Sequence, residues 1–249
     1  MIVVQRSARQ IKRALHVLRG RDLWQSAQID CERIQLGNRG ASWCVRAQGL
    51  SSSSIVYSFG VGEDISFDLE LIRRFSVCVH AFDPTPRSIA WLSKQALPAK
   101  FVFHPYGVAD IDGRARFLPP RNPAHVSHTL IERETPWQAI EVPVYRLASI
   151  LKLLGHQRID LLKMDIEGAE YSVLSNFLAS GIFPQQLLVE FHHRWPEIGA
   201  RKTKHALSLL NSTGYRIFDV SPSGEEFSFL RMEESGNVRS AKIAARTKL

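Results

Sequence analysis

The sequence predicts an α/β fold built on a mostly parallel sheet. Three observations lead there. Beyond residue 54, short apolar runs alternate with stretches of helical periodicity, the pattern of linked βαβ units. Ile55-Val-Tyr-Ser-Phe59 runs straight into Gly60-Val-Gly62, a glycine turn ahead of a helix. Ile159, Leu161, Leu162 and Met164 make a near-continuous apolar run, as in a strand covered on both faces. That run ends in Asp165, Glu167 and Glu170 around Gly168. Ligands of open parallel sheets sit at the carboxyl ends of the strands, so both turns fall where chemistry is expected.

The elements follow in order. Residues 1–50 read as a basic helical extension. Ile11, Leu15 and Leu18 recur at helical spacing, and Arg6, Arg9, Lys12, Arg13, Arg19 and Arg21 surround them with no acid before Asp22. Such a helix lies on an anionic membrane or a nucleic acid, or packs its apolar stripe on the main domain. Ser51–Ser54 is a polar linker to a domain over 51–231. Strands are predicted at 55–59, 76–82, 100–104, 159–164 and 186–191. Helices are predicted around Phe67–Phe75 and over 88–95, 147–154, 169–178 and 202–213. An antiparallel pair, 215–220 and 226–230, closes the pattern around Pro222-Ser-Gly224. Asp112-Gly113, Pro119-Pro120 and Asn122-Pro123 interrupt the alternation and predict a hairpin and a long loop, a lid or substrate wall. Residues 232–249 read as a flexible basic tail.

Composition narrows the class. With 249 residues the chain can bury a full core, and 45% hydrophobic with 22% charged residues is ordinary for a globular protein. A net charge of +8 favours an anionic partner or a solvated basic surface. Cys31, Cys44 and Cys78 form no C-x-x-C pair or metal-type spacing, which suits a reducing compartment, and Cys78 is expected to be buried and inert. No run approaches the ~18 apolar residues of a membrane-spanning helix. The N-terminus carries charges and no apolar signal-peptide core. The expected location is cytoplasmic, with attachment to an anionic membrane through residues 1–21 as an addition.

The glycine turn lets backbone approach a ligand, and the helix after it offers free N–H groups. A dinucleotide fingerprint needs a glycine or alanine at position 65, where this chain has Ile65, which disfavours NAD and FAD. Asp83, about twenty residues on, suits the two hydroxyls of a ribose, or caps the helix after Pro84 and Pro86.

Ser58–Asp64, Ala81-Phe-Asp83, Gly107-Val-Ala-Asp110 with Asp112-Gly113, Lys163-Met-Asp-Ile-Glu-Gly-Ala-Glu170 and Val189-Glu-Phe-His192 together resemble the FkbM-type S-adenosylmethionine-dependent methyltransferases. The resemblance covers about residues 52–231, and 163–170 is its most specific segment. One departure is Gly60-Val-Gly62-Glu63, where many members carry Gly-Ala-Asn. The resemblance implies a Rossmann-like, seven-stranded class I methyltransferase sheet, mostly parallel with an antiparallel final strand. It implies O-methylation of a hydroxyl on a sugar, lipid-linked glycan or other small molecule. By position, Gly60, Gly62 and Asp64 would hold the methionine end of S-adenosyl-L-methionine and Asp83 its ribose. Ala109 and Asp110 would lie near the adenine, and Asp165 beside the sulfonium.

A hydroxyl acceptor needs a base within hydrogen-bond reach. His192, beside Glu190 at the end of the fifth strand, is the first candidate, with Asp165 and Glu167 as competitors. Glu167 and Glu170 could equally serve only the start of the next helix. Asp165, Glu167, Glu190 and His192 carry hard oxygen donors and one imidazole, a set suited to Mg²⁺ or Mn²⁺, but nothing in the spacing demands an ion. Arg114, Arg116, Arg121, His125 and His128 could grip an anionic acceptor or form a solvated surface. Two other functions compete. One is an RNA ribose methyltransferase, suggested by the basic charge. Base-amine and pyrimidine-carbon methylation are disfavoured, because Asp165-Ile-Glu-Gly168 replaces the Asn/Asp-Pro-Pro-aromatic segment and no cysteine lies nearby. The other is a non-catalytic cofactor-binding module, against which Gly60, Gly62, Asp83 and Asp165 stand intact.

Overall fold

A computed structural model describes residues 14–20, 22–118 and 139–232. Its centre is a seven-stranded sheet of β3 (Ile55–Phe59), β4 (Cys78–Phe82), β5 (Phe101–His104), β9 (Leu161–Met164), β10 (Gln186–Glu190), β11 (Tyr215–Val220) and β12 (Glu226–Arg231). The order across it is β11-β12-β10-β9-β3-β4-β5. β3, β4, β5, β9 and β10 pair in parallel, and β12 inserts antiparallel between β10 and β11. The predicted Rossmann-like sheet with an antiparallel final strand is thus present.

Strand alternation assigns each side chain to a face. On one face Tyr57, Phe59, Leu162, Met164, Leu187 and Val189 pack against α3 (Leu147–Leu154), α4 (Glu170–Ala179) and α5 (Gly199–Ser212). On the other, Val56, Val79, Ala81, Leu161 and Leu188 pack against α1 (Ser66–Phe75) and α2 (Pro86–Leu92). A hairpin of β1 (Ile34–Leu36) and β2 (Trp43–Val45) adds Leu36, Trp43 and Val45 to this second layer. Sequence pattern did not reveal that hairpin, because each strand is three residues long.

Element ends move for identifiable reasons. β4 starts at Cys78 rather than Ser76, because Ser76 takes the left-handed position that ends α1, φ 55°. α2 starts at Pro86, whose missing N–H is no loss in a first turn. The predicted hairpin at 110–145 is real. β7 (Gly113–Phe117) pairs antiparallel with β8 (Ile140–Tyr145), and β6 (Gly107–Val108) joins β8 in parallel. The long loop with Arg121, His125 and His128, the tail beyond 232 and most of the basic N-terminal segment lie outside the described residues. Of that segment, residues 14–18 are helical, with Leu15 and Leu18 exposed. Among the described residues no helix is long and apolar enough to cross a membrane. The three cysteines are free and half-buried, Cys78 included.

Three histidines meet on the α3 side of the sheet. His80 Nδ1 lies 3.0 Å from His104 Nε2, and His156 Nδ1 lies 2.7 Å from the Tyr57 hydroxyl. Burial, with repulsion from His156 and His104, lowers His80 from 6.5 to about 4. The folded protein therefore holds a neutral ring that the unfolded chain protonates near 6.5. This contribution is intact above pH 6.5 and is lost as the pH falls toward 4. The melting temperature is expected to fall between pH 7 and 5, and to fall less in His80→Gln. Parallel slopes for the two proteins, read by circular dichroism, would contradict this role.

Candidate active site

β3, β4, β9 and β10 end together, and a cleft opens across their carboxyl ends. Its first wall is the turn after β3. Gly60 has φ +74°, and its N–H donates to the Phe82 carbonyl at 2.9 Å. A Cβ at this position would lie 1.7 Å from the Asp165 carbonyl oxygen. Only glycine allows this approach of the first strand's exit to the fourth's. Gly62 N–H then donates to Asp83 Oδ2 at 3.0 Å. Asp83 Oδ1 accepts from the Thr85 N–H at 2.9 Å and from the Thr85 hydroxyl at 2.6 Å. A carboxylate oxygen has two lone pairs, so Asp83 is fixed in direction and still able to accept from a ligand.

Gly60, Gly62, Asp64, Asp83, Asp165 and Glu167 all line this cleft. Asp64 is partly committed, since its carboxylate accepts from Ser66 N–H at 2.9 Å at the start of α1. Ala109 and Asp110 do not line it. Ala109 is buried against β8, and Asp110 is exposed with its carbonyl bonded to Arg146. Gly107 and Val108, two residues and one residue before Ala109, face the cleft instead, with Phe82, Pro84 and Phe117.

The second wall grows from the turn after β9. Glu167 adopts φ +54° and Gly168 φ +98°, a tight left-handed turn with Glu167 in a conformation that costs a non-glycine residue about 1 kcal/mol or more. The turn is held by Glu170, which is fully buried. Its Oε1 accepts from the N–H groups of Ile166 and Gly168, both at 3.1 Å, and lies 2.9 Å from His192 Nδ1. The acid that could have served only the helix start therefore also orients the histidine. His192 Nε2 faces Glu167 Oε2 at 3.2 Å and Asp165 Oδ1 at 3.9 Å. The residues just beyond are anchored in turn: His193 Nε2 and Arg194 Nε reach the buried Asp22 carboxylate at 2.8 and 3.0 Å.

Electrostatics set the protonation of this wall. Burial alone would lower His192, but the charges and hydrogen bonds of Glu170 and Glu167 hold it well above the usual imidazole value. The ring is therefore an imidazolium in the ligand-free cleft, and both its nitrogens donate. Burial raises Asp165 to about 6 against the attraction of Lys163. Burial, and then Asp165, also raise Glu190 well above the usual carboxylate value.

Several cleft residues were not legible as such. Lys163 interrupts the apolar β9, and its Nζ donates to the carbonyls of Gly60 at 2.6 Å and Phe59 at 3.3 Å, with Trp43 stacked 5.7 Å away. Asp68 sits on the buried face of α1 between Phe67 and Leu71, and burial raises it to about 6. A charge inside each apolar pattern was the available signal. The lining carries eight carboxylates (Glu63, Asp64, Asp68, Asp83, Asp165, Glu167, Glu190 and Glu226) against one lysine. In a chain of net charge +8, the lining of this cleft is thus predominantly acidic.

Comparison with known proteins agrees with this architecture. The profile of the methyltransferase FkbM domain matches residues 45–217. Probable methyltransferase-like protein 24 of Rattus norvegicus is 33% identical over 145 residues, 57% of this chain and 33% of the relative. The Homo sapiens protein of that name is 32% identical over 144 residues, with the same coverage. The chain thus spans about a third of the length of these curated relatives. A methyltransferase FkbM from Methylobacillus flagellatus KT superposes with TM-score 0.47 at 16% identity, over 74% of this chain and 45% of that one. Fibrillarin from Aeropyrum pernix, in complex with S-adenosyl-L-methionine, superposes with TM-score 0.40 at 10% identity, over 85% of each chain.

The close approach at Gly60 is directly testable. Gly60→Ala is expected to remove most of the folding stability or abolish expression of folded protein. Gly155→Ala, at φ +70° but with open space around its Cβ position, should cost about 1–2 kcal/mol. Urea unfolding that gave both variants the same loss would contradict the packing described.

Proposed function

Since this chain belongs to the FkbM methyltransferase family, we propose that its cleft binds S-adenosyl-L-methionine and methylates a hydroxyl oxygen of a sugar, lipid-linked glycan or other small molecule. The observation that carries this reading is the pairing of two walls in one cleft. The glycine turn and Asp83 face the carboxylates of Asp165, Glu167 and Glu190 across the ends of adjacent strands, with His192 behind Glu167. The donor set fits the cofactor chemically: a fixed carboxylate for vicinal hydroxyls, apolar Phe82, Pro84 and Val108 for a flat ring, and surplus negative charge for a cation. When bound, the cofactor supplies a methyl group activated by sulfonium.

The chain's own residues do the rest. Asp83, itself held by the Gly62 N–H, orients the ribose end. Asp165 places negative charge where positive charge is to be held. The acceptor proton goes to the His192–Glu167 pair, 3.2 Å apart. Added positive charge beside Asp165 lowers the affinity of His192 for its proton, which frees Nε2 to accept one. Glu170 keeps Nε2 of the ring turned toward Glu167 and Asp165, which line the cleft. An acceptor rich in phosphates is disfavoured by the eight carboxylates of the lining, which sets the small-molecule reading ahead of RNA ribose. Attachment of residues 1–21 to an anionic membrane belongs to the same proposal, supported by the exposed Leu15 and Leu18 beside Arg19.

Calorimetric titration of the full chain with S-adenosylmethionine and S-adenosylhomocysteine tests the assignment. Both are expected to bind. Asp83→Asn should weaken both by about tenfold or more, since hydrogen bonds to a charged group contribute about 1.5–3 kcal/mol. A well-folded wild type that binds neither would end the methyltransferase reading for this cleft.

A further inference from the structure

We propose that Asp165, Glu190 and His192 form a binding site for a hard divalent cation, Mg²⁺ or Mn²⁺, at the carboxyl ends of β9 and β10 beside the cleft. One donor atom from each residue lies within 4.8 Å of the other two. The three come from neighbouring strand ends. Asp165 follows β9 directly, Glu190 closes β10, and Met164 pairs with Val189 in the register between them. The separation of the donors is thus set by the sheet rather than by a surface loop.

Two further observations point to a ligand here. Asp165 Oδ1 is buried without a hydrogen-bond partner and lies 3.9 Å from His192 Nε2. That gap is too long for a hydrogen bond. Two ligands about 2.1–2.2 Å from one ion sit about 3 Å apart when adjacent and about 4.3 Å apart when opposite, so this pair falls between the two and reaches the opposite arrangement by a shift of a few tenths of an ångström. In addition, His192 is 6% exposed and its Nδ1 is committed to Glu170, itself fully buried and held by two backbone N–H groups. This leaves Nε2 as the nitrogen turned to the carboxylates. A carboxylate behind the histidine is the outer-shell support that metal-binding imidazoles use. Two carboxylates and one imidazole, with no thiolate, select a hard ion.

The site's catalytic use rests on the methyl-transfer reading above. A divalent ion here lowers the pKa of a hydroxyl brought beside it. His192 Nε2 would release its proton to solvent when the ion binds and then be a ligand, and the hydroxyl proton would pass to the Glu167 carboxylate. The oxygen's electron pair forms the new C–O bond, and the C–S pair returns to sulfur.

Mn²⁺ titration of the full chain, followed by the electron paramagnetic resonance signal of free Mn²⁺, tests the site without activity. One saturable site per chain is expected, competed by Mg²⁺. Glu190→Gln and His192→Asn should each weaken it at least about tenfold, and the exposed Glu141→Gln should leave it unchanged. A cooperatively melting wild type with no saturable Mn²⁺ site would overturn the proposal. So would a site that survives in both variants. The wild-type titration decides the matter even if a variant fails to fold. S-adenosylhomocysteine affinity, measured on the same samples, separates the two readings. Mn²⁺ bound without it supports the ion site and removes the methyl-transfer reading, and the reverse removes the ion alone.

Discussion

The backbone contact between Gly60 and Asp165 is the constraint on which the site depends. It brings the exit of the first strand against the exit of the fourth, with the missing Cβ as the space that allows it. The Asp165 N–H donates to the Phe59 carbonyl at 3.2 Å, and Lys163 ties the Phe59 and Gly60 carbonyls from below. The glycine turn and the acid turn are therefore not two features that happen to face one cleft. They are one backbone junction, and a change at either side is felt at the other. The sheet supplies the register, and the junction converts that register into a fixed distance between the Asp83 wall and the Asp165–Glu167 wall.

Charge is arranged against the trend of the whole chain. A protein of net charge +8 concentrates eight carboxylates and one lysine around its cleft. Burying so many like charges is costly unless they are neutralised. Part of the cost is met by protons: Glu170 and Glu167 hold His192 well above the usual imidazole value, and burial raises Asp165 to about 6 and Glu190 above the usual carboxylate value. The basic charge lies elsewhere on the chain and says little about what the cleft binds.

Much of the fold was legible from periodicity alone. The seven sheet strands and the five helices around them were readable because long apolar runs bounded by Gly and Pro leave few alternatives. The glycine turn, Asp83, Asp165 and Glu167 could be picked out as cleft residues because they stand at strand ends in a parallel sheet, and His192 lies just behind them. What escaped notice depends on distance in three dimensions. The β1–β2 hairpin is too short for a pattern, yet it places Trp43 over Lys163. Glu170 reads as a helix-start acid in sequence, and only the fold reveals its bond to His192, twenty-two residues away. Ala109 and Asp110, expected near the adenine, follow the cleft-lining Gly107 and Val108 and do not line the cleft themselves, because Ala109 packs against β8.

The most direct test of this account is a crystal structure of the full chain with S-adenosylhomocysteine. The account predicts the ribose hydroxyls on the Asp83 carboxylate, the adenine against Val108 and Phe82, and the sulfur facing Asp165 and Glu167. A ligand seated elsewhere, or one in this cleft with its ribose away from Asp83, would contradict the link between the glycine junction and function.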